Sequence, residues 1–314
     1  PVITISGKIS SQFVSGLMLV APRLRQGMTL IIDGDIPSKP YVEMTAKVIE
    51  LFGGKCEIVG DWDRIELSYG LDSPEVFMIP GDASSLSYPV TWSALMGESV
   101  SVENVGLDTL HGDEKFLDFV SDMGVSVKRE GEKCVVEAGE GQGRGGAELK
   151  AVGEVDFEKM PDVSMTGMVV AAMAEGLTEF HGLESLRVKE CDRIQAMVEG
   201  LTTLGIKTEV EGDIVKIWGS GQLVINNKQL EINSYDDHRI AFCFALLLNA
   251  ISDLSIREIH DSIIDAHSVT KSWPDFWTDL TDWNNQLRPV SGVIVKKSTP
   301  SPSFLKEGSR TSPL

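Results

Sequence analysis

Positive charge is what this chain has little of: 28 Lys and Arg stand against 47 Asp and Glu in 314 residues, a formal net charge of −19. A surface that tracks nucleic-acid phosphates carries a basic excess, so nucleic acid is not an expected partner. Cysteine is scarce too. The four that occur, Cys56, Cys134, Cys191 and Cys243, lie far apart with no Cys-x-x-Cys and no Cys/His clustering. Neither a disulfide framework nor a zinc site is indicated, and a reducing compartment is expected. No apolar run is long: Ile240 to Ile251, broken only by Asn249, falls short of the roughly 20 residues a bilayer needs, so no spanning segment is expected. Pro1 to Ile5 reads as a strand and lacks the basic and apolar regions of a signal peptide, so the chain is expected to be cut at its front.

What is there is ordinary globular material. Hydrophobic residues make up 42% and charged residues 24%, enough to bury a core, and at roughly 100 to 200 residues per domain the length predicts two domains. Residues 289–314, rich in Ser, Thr, Pro and Lys, read as a disordered tail or linker.

A unit of one plan recurs four times. Each copy opens with Ser or Asp at a helix start, crosses a strand, enters a second helix that ends near Gly, and closes in a β-hairpin. Ser10-Ser11-Gln12, Asp82, Asp162 and Asp237 open the four copies. The second helix ends at Gly53, Gly124 and Gly205 in the first three, a position that suits a left-handed cap. In the fourth copy LSIREI is expected to be the strand, followed by a shorter closing segment. The period and order of the signals predict an α/β protein of repeated units.

Cations stand where helix dipoles disfavour them. Lys189 and Arg193 are four apart in LRVKECDRIQAM, expected on one face of a helix's first turns, and Arg239 follows Asp237 and His238 at another helix start. A cation at that end costs about 0.3 to 1 kcal/mol unless an anion offsets it, so an anionic ligand is implied. Each residue also has a bland reading. Ser10, Ser11, Asp162 and Asp237 read as caps, Glu190 and Arg193 as a solvated i,i+3 pair, and His238 as a hydrogen-bonded structural residue. Their recurrence at the same point of a repeated unit favours a site.

Eight ordered segments, SGKISSQF, PSKPYVEMT, PGDASSLSY, GDEKFLDFV, MPDVSMT, LRVKECDRIQAM, YDDHRIAFCFAL and TKSWPDF, make the chain resemble the 5-enolpyruvylshikimate-3-phosphate synthase family from about Ile3 to Leu280. The resemblance implies an enolpyruvyl transferase fold: repeated βαβαββ units in two domains, helix N-termini facing an interdomain cleft. On that pattern residues 1–80 close the first, shikimate-phosphate-binding domain and 81–288 form three units of the second. About two units, with the family's early Lys-Ser-x-x-x-Arg motif and Gly-Thr-Ala loop, are expected upstream.

The implied reaction transfers the enolpyruvyl group of phosphoenolpyruvate to the 5-hydroxyl of shikimate 3-phosphate. By the same resemblance Ser10, Ser11, Gln12, Ser38, Tyr41, Asp162, Ser185 and Lys189 bind shikimate 3-phosphate, and Gln12, Arg193, Arg239 and Lys271 bind phosphoenolpyruvate. Asp162 is the implied base at the 5-hydroxyl, Glu190 the proton donor and acceptor at the methylene carbon, Lys189 a third catalytic group, and Asp237 and His238 supports. No cofactor or metal is implied, nor a membrane partner; the expected state is a monomer when complete, in the cytoplasm or a plastid. With Lys39, the cations Lys189, Arg193, Arg239 and Lys271 are expected to make the cleft edge positive. Departures from the family pattern are Ser185 for Asn, Ile240 for Met, Trp277 for Phe or Tyr, and Pro89 in a helix the family keeps free of proline, unless that helix starts later and Pro89 lies near its first turn. Two other readings stay open: an enolpyruvyl transferase acting on a UDP-sugar, and a non-catalytic module derived from the fold.

Overall fold

A computed structural model describes residues 1–285 apart from 9, 37, 106–110, 132, 138–147, 222 and 224–229. The tail expected at 289–314 lies outside the described residues. The first unit reads β1 (Val2–Ser6), α1 (Ser11–Val20), β2 (Met28–Asp33), α2 (Lys39–Leu51), β3 (Cys56–Val59) and β4 (Arg64–Leu67). Its sheet has the order β1-β2-β4-β3, with β1 and β2 parallel and the closing hairpin antiparallel. Parallel strands need a crossover, and α1 supplies it. Both helices therefore leave from the same sheet edge. The two loops touch there: a Cβ on Gly7 would stand 2.9 Å from the Gly34 carbonyl oxygen.

The second unit follows as α3 (Ala83–Met96), β5 (Val100–Glu103), α4 (Phe116–Asp122), β6 (Ser126–Glu130) and β7 (Lys133–Glu137), with sheet order β5-β7-β6. The third repeats the first in full: β8 (Gly153–Asp156), α5 (Ser164–Met173), β9 (Glu175–His181), α6 (Arg193–Thr203), β10 (Lys207–Glu211) and β11 (Ile214–Ser220), ordered β10-β11-β9-β8. The fourth holds β12 (Ile232–Asn233), α7 (His238–Ile251), α8 (Ile256–Asp261), β13 (Ile263–Ile264) and α9 (Phe276–Asn285), with β12 and β13 parallel. Gly53, Gly124 and Gly205 all take positive φ, at 72°, 100° and 81°, the left-handed end expected of them.

Two hydrophobic cores result. Val14, Met18, Leu30, Val42, Ile49 and Ile65 belong to the first. The second is larger and centres on α3, α5 and α7, which pack on one another. Almost every residue of these three helices is buried, which is why their sequences are apolar or small all round.

Three local expectations need correction. LSIREI is not the strand: its last residues open helix α8, because Ser255 and Glu258 form a reciprocal capping box, and the strand moves to Ile263–Ile264. Pro89 does not sit near a helix start. Asp82 accepts from the N–H groups of Ser84 and Ser85, so α3 begins at Ala83 and runs through Pro89 to Met96. Interior proline costs about 3 kcal/mol, offset here by burial on all sides. Finally, Lys189 is not on a helix with Arg193. Asp192 caps α6 by accepting from Gln195 N–H at 3.1 Å, so the helix starts at Arg193 and Lys189 lies in the preceding loop.

Candidate active site

The starts of α5, α6 and α7 meet around one guanidinium. Arg193, 1% exposed, donates from Nε to Asp237 Oδ2 at 2.7 Å, from Nη1 to Asp162 Oδ1 at 3.0 Å and from Nη2 to Glu190 Oε2 at 2.7 Å. Each carboxylate comes from a different segment. Asp162 sits in the 3₁₀ turn Pro161–Val163 before α5, Glu190 in the loop before α6, and Asp237 at the cap of α7, where it also accepts from Arg239 N–H at 2.9 Å. Asp162 is thus not a cap; it serves cations instead. Lys189 Nζ lies 3.2 Å from its Oδ1. Arg239 lies 3.5 Å from its Oδ2 and donates to its backbone carbonyl at 3.1 Å. Lys271, at the end of the 3₁₀ turn Ala266–Lys271, donates to Glu190 Oε1 at 2.8 Å.

Four cations therefore share three carboxylates at helix N-termini. Burial pushes the Asp162 carboxyl upward, but Arg239, Lys189 and Arg193 outweigh it and hold its pKa below the ordinary value. Glu190 behaves alike. Burial would raise it, yet the hydrogen bond from Lys271 and the charge of Arg193 bring it down to about 2. Both are carboxylates at neutral pH. His238 goes the other way: burial and then the charge of Arg239 lower its pKa, so the ring is neutral. It is buried at the first residue of α7, packs edge-on against Phe242, and lies 3.7 Å from Asp237.

The residues expected on the first core fall on the two helix starts of its shared edge. Ser10 caps α1 by accepting from Gln12 N–H at 3.2 Å, and Ser11 is buried in its first turn. Ser38, buried and at φ 57°, precedes α2, whose first turn carries Tyr41. The Thr45 hydroxyl donates to Ser15 Oγ at 3.0 Å and ties the helices together. Tyr41 reaches the second core, where its hydroxyl donates to Asp113 Oδ1 at 3.2 Å. Burial raises the Tyr41 pKa, and the charges of Asp113 and Asp162 push it further. Lys39 stays on the first core with Asp35 at 3.8 Å and the Trp62 ring, and among the described residues it makes no ion pair with Asp162, Glu190 or Asp237. Ser185 lies in the 3₁₀ turn Glu184–Val188 next to Lys189.

Asp113, Ser84 and His111 were not expected at the site. The segments that hold the first two, GDEKFLDFV and PGDASSLSY, belong to the resemblance, but a junction with Tyr41 across 72 residues leaves no local pattern to read.

Repeated βαβαββ units with carboxylates and cations gathered at helix starts define an enolpyruvyl transferase fold. Superposition agrees. An EPSP synthase from Acinetobacter baumannii matches with a TM-score of 0.68 at 23% identity, covering 90% of this chain and 62% of that one. The enolpyruvyl transferase NikO from Streptomyces tendae matches with a TM-score of 0.66 at 17% identity, covering 90% and 64%. The chain belongs to the EPSP synthase (3-phosphoshikimate 1-carboxyvinyltransferase) family, whose model matches residues 1–280. Among similar relatives, the 3-phosphoshikimate 1-carboxyvinyltransferases of Photobacterium damsela and Paraburkholderia phytofirmans are 34% and 36% identical over 88% and 89% of the chain. A chloroplastic counterpart from Brassica napus is 36% identical over 88%. The chain spans 61% and 62% of the two bacterial relatives and 52% of the plant one.

Proposed function

We propose that this chain carries the part of an enolpyruvyl transferase site that binds shikimate 3-phosphate and phosphoenolpyruvate and moves the protons between them. The observation that carries the reading is the cluster of four cations around Asp162, Glu190 and Asp237, the carboxylates near the starts of α5, α6 and α7. Lys189, Arg193, Arg239 and Lys271 are held in place by carboxylates that an anionic ligand could relieve. Residues 1–80 are read as the end of one domain and 81–288 as most of another, with the ligands between them. Ser10, Ser11, Gln12, Ser38, Tyr41 and Ser185 would serve the sugar phosphate. The match to the shikimate-type family model supports this substrate class over a UDP-sugar.

In this reading Asp162, ionised and flanked by Lys189, takes the proton of the 5-hydroxyl. Glu190 delivers one to the methylene carbon, but a carboxyl held at about 2 is no acid at neutral pH. The ligand itself corrects this. Phosphoenolpyruvate draws Lys271 and Arg193 onto its own charges, leaving Glu190 with its burial and without its partners, so its pKa climbs. Binding should then take up protons. Calorimetry of phosphoenolpyruvate binding, with shikimate 3-phosphate present and in buffers of different ionisation enthalpy, tests this. The expected result is net proton uptake near neutral pH, absent in Glu190→Gln. Arg239→Ala should weaken phosphoenolpyruvate by one to two decades, since a charge-assisted pair is worth about 1.5 to 3 kcal/mol. Binding with no proton uptake, or an Arg239→Ala variant of unchanged affinity, contradicts the assignment.

A further inference from the structure

The carboxyl of Asp113 is fully buried, and among the described residues no lysine or arginine lies within ion-pair distance of it. It accepts from Ser84 Oγ on α3 and from the Tyr41 hydroxyl on α2, while His111 Nδ1 stands 3.8 Å away. The Tyr41 and His111 rings meet edge-on with centroids 5.5 Å apart. The backbone is packed as tightly. A Cβ on Gly112 would stand 2.0 Å from the Lys159 carbonyl oxygen and 3.5 Å from the Pro40 side chain, so the turn that carries Asp113 is wedged between α2 and the segment leading to Asp162. Burial pushes the Asp113 pKa up, against the opposing influence of His111 and of the hydrogen bond from Ser84. A buried carboxyl with no lysine or arginine beside it, and His111 alone nearby, is poor packing material, and an apolar side chain would fill the space at less cost. Its polar atoms hold together two groups from separate cores.

We propose that Asp113 is a positioning residue for the sugar-phosphate side of the site, acting through Tyr41, an inference that rests on the functional reading above. With its proton committed to Asp113, the Tyr41 oxygen offers lone pairs alone. It can accept from a sugar hydroxyl and cannot donate to a phosphate. Asp113 thereby sets both where Tyr41 stands, beside Asp162 and Arg239, and which part of the ligand it reads.

The test is a double-mutant cycle on the 314-residue chain, with equilibrium affinity for shikimate 3-phosphate measured by calorimetry and thermal stability recorded alongside. Tyr41→Phe and Asp113→Ala should each weaken binding about tenfold, and the double variant no further, because one contact is removed twice. Asp113→Asn, whose amide keeps an acceptor for Tyr41 and a partner for Ser84, should restore affinity to within about threefold. Asp113→Ser, too short to reach Tyr41, replaces the alanine variant if that one does not fold. Unchanged affinity in Asp113→Ala, or losses that add in the double variant, overturns the role of Asp113 while leaving the site reading intact. No binding by the unaltered chain overturns the site reading and this inference with it.

Discussion

At the scale of single residues, the site is governed by which carboxylate holds which cation. Arg193 is satisfied by Asp162, Glu190 and Asp237, and Lys271 by Glu190, so these cations are paired within the protein itself. The depressed pKa values of Glu190 and Asp162 make this visible in stability. The unfolded chain binds protons on these groups at higher pH than the folded one, so the contribution of Glu190 is present above about 4.5 and is lost as pH falls toward about 2, and that of Asp162 is likewise lost on acidification. Urea midpoints measured across that window should fall less steeply for Glu190→Gln than for the unaltered chain. Parallel slopes would show that the pairs with Arg193 and Lys271 do not form in solution. Arg193 and Arg239 could be found in the sequence because a cation beside a helix start is out of place, whereas Lys271, at the end of a 3₁₀ turn, was reached only through the family resemblance. Asp113 could not: its meaning depends on a tyrosine from another unit, and a lone Gly-Asp before an apolar stretch reads as an ordinary helix opening.

At the scale of elements, helix starts and stops were the most legible feature, since Asp82, Asp237, Gly53, Gly124 and Gly205 act through their own neighbours. The misreadings share one cause. In LSIREI the alternation of apolar residues looks like a strand, and the decisive signal is the polar pair Ser255 and Glu258 three apart. In LRVKECDRIQAM, Asp192 interrupts what looks like one helix, which moves Lys189 into a loop where its flexible stem can reach Asp162. Packing between elements sets a further expectation, drawn from two glycines inside helices. A Cβ on Gly200 of α6 would stand 2.0 Å from the Phe244 ring on α7, whereas around Gly16 of α1 nothing lies within 4 Å. Gly200→Ala should therefore lose about 1 to 3 kcal/mol through overpacking, and Gly16→Ala should gain about 0.5 to 1 kcal/mol from helix propensity. Chemical denaturation of the two variants checks both signs. Equal effects would mean that α6 and α7 are not in the contact described.

At the scale of the molecule, four units of one plan meet unequal surroundings. The first helices of three units, α3, α5 and α7, bury one another. The corresponding helix α1 leaves Phe13, Leu19 and Val20 about half exposed. Its sequence is as apolar as theirs, which is why the repeat was legible and the difference in burial was not. Local charge is equally independent of the total. Within a net −19 chain four cations still gather around only three carboxylates, Asp162, Glu190 and Asp237. Because the chain spans about three fifths of its bacterial relatives, turnover by these 314 residues alone should be slight, since sealing a reaction from water needs both sides of a site. Affinity for the sugar phosphate is a less demanding property.

The central claim, that these helix starts form a shikimate 3-phosphate site, is tested most directly by calorimetric titration of that ligand into the unaltered chain, beside Lys189→Ala and with a UDP-sugar as the comparison ligand. The account predicts saturable one-site binding of shikimate 3-phosphate, weakened at least tenfold in Lys189→Ala, and none of the UDP-sugar. Heat with the UDP-sugar alone, or equal affinity for shikimate 3-phosphate in both proteins, would contradict it.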